Sequence, residues 1–221
     1  MNKKKILIIA TILIVLIIDQ WSKVWVKTNM EYQSVINIFG LERARIFFVE
    51  NDGMAFGLSY GGVTGKYILS VFRILMAGFL GYLLYGLWKA DEKKSLIFSF
   101  SLIVAGAIGN IIDCIFYGQI FSESQFHSGL SKFVKFGEGY APLLQGKVVD
   151  MLHFPIIQTQ YPSWFPFFGG KDFEFFSPIF NVADSAITVG VISILLFNRE
   201  FFLSNKSQKQ NTQTEEIEAN D

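Results

Sequence analysis

The chain is poor in the residues from which many active sites are built. Cysteine occurs once, at Cys114, and histidine twice, at His127 and His153. A single cysteine excludes an intrachain disulfide. So small a stock of thiolate and imidazole leaves little for a soft-ligand metal site. It also leaves Ser–His or Cys–His nucleophilic catalysis poorly furnished. Net charge is lacking too: 19 basic residues balance 19 acidic ones, and nothing in that balance points to nucleic acid.

What the chain has in quantity is apolar length. Of its 221 residues 51% are hydrophobic, and the mean hydropathy is +0.38. A bilayer crossing needs about 20 residues, and four runs reach that, at about 6–26, 67–88, 96–116 and 178–198. The first has the basic start and apolar centre of a signal peptide, but no small-x-small cleavage site follows. Instead DQWSKVWVK carries it on to an interface, with Trp21 and Trp25 as anchors. It reads as a retained span.

Basic residues set an orientation. Lys3, Lys4 and Lys5 precede the first span, Lys89, Lys93 and Lys94 fill the short second connection, and Arg199, Lys206 and Lys209 follow the last. The longer connections, 27–66 and 117–177, are more dilute, with four Lys or Arg each. The positive-inside rule then puts both termini in the cytoplasm and the two long loops outside. The expected organisation is one four-span membrane domain over 1–203, followed by a polar, disordered cytoplasmic tail over 204–221. The expected fold class is an all-α membrane bundle of four transmembrane helices with a small extracytoplasmic sheet resting on its outer surface. RIFFVENDGMAFGLS supplies the strand signal and its N-D-G turn. Residues 154–176 hold nine aromatics in 23 positions, which suits a loop lying in the membrane interface.

Charges inside spans are costly and usually face a bundle interior or cavity. Here they gather at one depth. Asp19 and Lys23 share a face near the outer end of span 1. Arg73 lies about two turns into span 2. Asn110 and Asp113 close span 3, and Asn181 and Asp184 open span 4, both in the form N-x-x-D. Each has a plainer explanation alone. Asp19–Lys23 reads as a structural ion pair, Arg73 as a snorkelling side chain, and Asp184 as a carboxylate complementing a helix N-terminus. Asp113 sits at a helix C-terminus, where an anion is disfavoured, so the dipole does not account for it. Acids and amides converging from several spans favour a site.

Paired carboxylates suit peptide hydrolysis. Two close acids share a proton and titrate as a unit; the ionised one takes a proton from water while the other polarises the scissile carbonyl. The N-x-x-D symmetry pairs Asp113 with Asp184. Asp150, in GKVVDMLHF, is a third outer acid, and spacing does not choose between Asp113 and Asp150. Two other classes fit the spans less well. A proton- or ion-coupled carrier would be expected to show an inverted repeat or broken helices. A structural subunit held by polar groups leaves the outer motifs unexplained.

The segments DQWSK, NDGMAFG, AGAIGNIIDC, GKVVDMLHF and FNVADSAITVG, in that order, resemble the motif set of lipoprotein signal peptidase, also called signal peptidase II. The resemblance spans roughly 6–198. It implies a four-span aspartic endopeptidase of the bacterial inner membrane with a small outer β-cradle, active near the outer face and inhibited by globomycin; the chain is expected to work as a monomer. Its substrate would be a prolipoprotein amid membrane lipid, cut before the diacylglyceryl-modified cysteine, with no metal or organic cofactor. The catalytic pair it implies is Asp150 and Asp184, with Asn51, Gly53, Asn110, Asp113, Asn181, Asp19 and Lys23 binding substrate or supporting the site.

Two departures stand out. The family's G-N-x-x-D is usually followed by Arg, where this chain has Cys114, and Arg73 is the cation available to replace it. Asp113 and Asp150 are 37 residues apart, where the family has a short link. Residues 119–147, between the similar tripeptides GQI and GKV, read as an inserted outer loop.

Overall fold

The computed structural model describes residues 3–41, 43–51, 62–126, 129–155, 157–175 and 178–199. Four apolar helices dominate it: α1 (Lys3–Asn29), α2 (Gly62–Lys89), α3 (Lys94–Ile112) and α4 (Val182–Phe197). Among the described residues, three helical runs are long and apolar enough to cross a membrane, Lys3–Asn29, Gly62–Lys89 and Lys94–Ile120. The third is longer than α3 because the helical path continues through a π-helical turn, Asp113–Tyr117, to Ile120.

The last span differs from the expected 178–198. Pro178 and the strand that follows it take no part in α4, which is 16 residues long. Ile179 and Phe180 instead pair with His153 and Leu152 as strand β6. Asn181 then caps the helix. Its side chain accepts from the Asp184 amide at 2.9 Å, and the Asp184 carboxylate accepts from the Asn181 amide at 3.3 Å, a reciprocal capping box. Hydropathy alone could not separate the apolar strand from the apolar helix it abuts.

α3 is the central helix, packed by α1, α2 and α4. Its small residues allow this. A Cβ at Gly106 would stand 2.3 Å from the Ala183 carbonyl oxygen of α4, and one at Gly190 would stand 2.7 Å from the Ser99 carbonyl oxygen. Backbones approach that closely only where side chains are absent. The opposite faces of α1, α2 and α4 carry exposed Ile14, Ile17, Leu75 and Leu195, an apolar exterior suited to lipid.

At one end of the helices lies an antiparallel sheet in the order β1–β2–β3–β6, with β1 Val35–Asn37, β2 Arg45–Asn51 and β3 Val148–His153. β3 opposes β2 through Glu50↔Val149 and Asn51↔Val148, and the pairing is bulged between Ile46 and Val49. Val26, Met30, Phe48, Tyr117, Phe121, Val149 and Met151 form one buried cluster that seats the sheet on the ends of α1 and α3. The aromatic stretch contains a separate ribbon, β4 (Ile157–Gln160) with β5 (Asp172–Phe175). The inserted residues fold back on the end of α3: Val134 donates to the Ile120 carbonyl at 2.9 Å, Tyr140 to that of Phe121 at 3.1 Å, and Ala141 to that of Gly118 at 2.9 Å.

Candidate active site

β3 carries Asp150 between Val149 and Met151, all three buried. Side chains alternate across a strand, so Asp150 faces away from the core that takes Val149 and Met151. It meets the start of α4. The Asn181 side chain donates to Asp150 Oδ1 at 2.7 Å, while its own Oδ1 accepts from the Asp184 amide at 2.9 Å. Asn110, near the end of α3, donates to Asp184 Oδ1 at 2.7 Å and accepts from Asn181 at 3.0 Å. Asn51, at the end of β2, donates to the second oxygen of Asp150. Three asparagines from three elements therefore hold two carboxylates.

Beneath them lies a buried ionic layer. Lys23 donates to Asp19 at 2.9 Å, to Asp113 at 2.8 Å and to Asn110 at 2.9 Å. Three protons thus meet three acceptors, and the side chains of Lys23, Asp19 and Asp113 are wholly buried. The other oxygen of Asp19 accepts from the Ala183 amide in the first turn of α4 at 2.9 Å. Asp113 accepts from the Val149 amide at 3.3 Å, one residue before Asp150, and from Gln20 at 2.9 Å. This layer ties α1, α3, β3 and α4 together at the point where the two upper acids emerge.

Burial, and then the charge of Asp184, push the Asp150 carboxyl up to about 7, against the pull of Lys23 and the Asn181 hydrogen bond; Asp113 adds to the rise. Asp184 is the more open of the two acids. One carboxyl that keeps its proton near neutrality, beside a second acid joined to it by an asparagine, is an arrangement suited to acid–base hydrolysis.

All described candidates from the sequence enter this network; Gly53 lies outside the described residues, as does the rest of its motif after Asn51. Asp113, the symmetry mate of Asp184, belongs to the ionic layer below. Arg73 reaches the position where the motif set has its cation: its Nη1 lies 3.2 Å from Cys114 Sγ. Sequence reasoning overlooked Gln20, which donates to Asp113 and accepts from the Tyr117 hydroxyl at 3.2 Å. It also overlooked Lys27, one turn beyond Lys23 and equally buried, with Glu50 and Ser124 as partners. The i, i+4 spacing of the two lysines was the available signal.

Comparison with known proteins agrees with this architecture. A chain from Porphyromonas gingivalis (strain ATCC 33277) named lipoprotein signal peptidase is 46% identical over 193 residues, covering 85% of this chain and 80% of the relative. One of the same name from Amoebophilus asiaticus is 34% identical over 190 residues, covering 85% and 75%. A bacterial membrane enzyme solved by the in meso method at 1.9 Å resolution superposes with a TM-score of 0.52 at 25% identity, over 86% of this chain and 90% of that one. The family model for signal peptidase (SPase) II matches residues 11–199, and the chain belongs to that family of membrane peptidases.

Proposed function

We propose that the protein is an aspartic endopeptidase that removes the signal peptide from prolipoproteins, cutting before the diacylglyceryl-modified cysteine, with Asp150 and Asp184 as its catalytic pair. The observation that carries this reading is the Asn181 bridge, which donates to Asp150 at 2.7 Å and accepts from the Asp184 amide at 2.9 Å.

In this reading Asp150 holds the shared proton and Asp184 acts as the base. Asp184 takes a proton from water as the water oxygen bonds to the scissile carbonyl carbon. Asp150 gives its proton to the carbonyl oxygen, which yields a neutral geminal diol. As the C–N bond breaks, Asp184 returns its proton to the leaving amine of the cysteine, and a diol hydroxyl returns one to Asp150. Both acids end as they began. Asn51, Asn110 and Asn181 keep the carboxylates oriented, and Asp19, Lys23 and Asp113 hold the helices that carry them.

The dense basic segments support cytoplasmic termini and an outward-facing sheet and site. α4 lies along α3 through Gly106 and Gly190, which supports a fourth crossing although its helix spans only about 24 Å. On this reading residues 1–203 form one domain that works as a monomer in lipid. No observation favours an ion-coupled carrier.

The test is incubation of the purified protein, in bilayer nanodiscs, with a diacylglyceryl-modified precursor. The expected product begins at the lipidated cysteine, and globomycin suppresses it. Asp150→Asn and Asp184→Asn should each lower the rate by at least about a thousandfold while remaining folded. Normal cleavage by either variant removes that residue from the pair.

A further inference from the structure

Lys27 is too costly to be incidental. Its ammonium is wholly buried, and a buried charge is tolerated only when its partners compensate for lost water. It pairs with the Glu50 carboxylate and donates to Ser124 Oγ at 2.9 Å, and that hydroxyl donates to Glu50 at 3.1 Å. The rings of Phe121 and Tyr140 lie 5.4 and 5.1 Å from the Lys27 nitrogen. Apolar side chains of similar size would hold α1 against the sheet with no charges to desolvate. The ion pair therefore calls for an explanation beyond adhesion.

Glu50 supplies one. It precedes Asn51 at the end of β2, and Asn51 donates to Asp150. The β2–β3 pairing is irregular between Ile46 and Val49, and beyond it Val49, Glu50 and Asn51 lie in register with Asp150, Val149 and Val148, so a shift of Glu50 is carried directly to Asn51 and its hydrogen bond to Asp150. Lys27 pins Glu50 from α1, the helix that also carries Lys23. Phe121, Ser124 and Tyr140 all lie within 119–147, and these three side chains close over the pair.

We propose that Lys27, Glu50 and Ser124 are a positioning set: the buried pair fixes the end of β2 so that Asn51 holds Asp150, and the 119–147 loop acts as the cover that keeps the pair dry. This rests on Asp150 being one of the catalytic acids. It gives the inserted loop a role in the site without placing any of its residues on substrate.

The variants to compare are Lys27→Met/Glu50→Gln, which removes both charges at once, Lys27→Arg, which keeps the cation, and Ser124→Ala. The readouts are kcat and KM on the diacylglyceryl-modified precursor, their pH dependence, and the melting temperature. The double variant should stay folded, lose about tenfold in kcat and keep KM within about twofold. Its alkaline limb should move up, because the Asn51 hydrogen bond favours the ionised form of Asp150 and is weakened. The other charges facing Asp150, namely Asp184 from α4, Lys23 from α1 and Asp113 from the end of α3, are unchanged. Lys27→Arg should recover most of the rate. If the double variant does not fold, Ser124→Ala decides, with an expected loss of about twofold and a limb shifted the same way. Wild-type kcat with an unmoved limb, in the folded double variant or in Ser124→Ala, overturns the proposal. If that result comes while Asp150→Asn is inactive, this inference alone fails; if Asp150→Asn is active, the catalytic pair fails with it.

Discussion

The ammonium of Lys23 stands 2.8 Å from a carboxylate oxygen of Asp113, and neither side chain is exposed. The same nitrogen serves Asp19 and Asn110, so one cation balances two buried acids. Removing it as Lys23→Met would leave both carboxylates unpaired. The expected loss is about 3–5 kcal/mol or more, read as a large fall in melting temperature or failure to purify folded protein. Asp19→Asn or Asp113→Asn leaves the cation one acid and should cost less. A Lys23→Met protein melting like the wild type would refute this account of the ionic layer.

Much of this arrangement was legible in the sequence. Buried charges in greasy helices mark themselves, and Asp19, Lys23, Asn110, Asp113, Asn181 and Asp184 stood out by residue type alone. Their converging at one level followed from span ends. The pairing did not follow. Asp113 and Asp184 share a motif form, but the π-helical turn beginning at Asp113 and its hydrogen bond from the Val149 amide set Asp113 in the Lys23 layer, while Asn181 links Asp150 to the Asp184 backbone. Asp150 carried no helical signature because it lies on a strand. Lys27 carries little signal of its role in the sequence, because its partners, Glu50 and Ser124, are 23 and 97 residues away. Hydropathy does not mark the start of α4, because Ile179 and Phe180 are as apolar as the helix they precede.

The elevated Asp150 carboxyl makes a signed prediction. In the unfolded chain an aspartate titrates near 3.9, whereas in the fold it is pushed up to about 7. Below about pH 4 both states hold the proton and the residue adds no pH dependence. Between those values the folded state binds more protons, so stability falls as pH rises and levels off above about 7. Asp150→Asn, which mimics the protonated acid, should melt like the wild type near pH 4 and a few degrees higher near pH 8. Wild-type kcat should decline as pH rises through about 7, where Asp150 loses its proton. Equal melting curves at both pH values would contradict the burial argument.

Gly106 links packing to the site. A methyl group there would press on the Ala183 carbonyl oxygen at 2.3 Å, a backbone atom that cannot rotate away. α4 would have to move, and its first turn carries Asp184 and the Ala183 amide bound by Asp19. Gly106→Ala should therefore destabilise by about 1–3 kcal/mol and lower kcat more than KM changes. A control on the exposed face, Leu195→Ala, should alter neither strongly. Wild-type melting and turnover for Gly106→Ala would show that the helices tolerate a wider separation.

Arg73 offers a test of whether the site needs a second cation, at Cys114, in addition to Lys23. Its guanidinium reaches Cys114 at 3.2 Å, from α2 rather than from the residue after Asp113. The motif set places an arginine at the position of Cys114, so the charge would have moved from one helix to another while ending in the same place. Arg73→Gln should then lower the cleavage rate by about tenfold without unfolding the protein. Adding Cys114→Arg to that variant should recover a large part of the loss, because it restores the charge from the other helix. Cys114→Arg alone should gain nothing, since two cations would crowd one spot. If Arg73→Gln cleaves the lipidated precursor at the wild-type rate, the cation is dispensable and the exchange has no functional content.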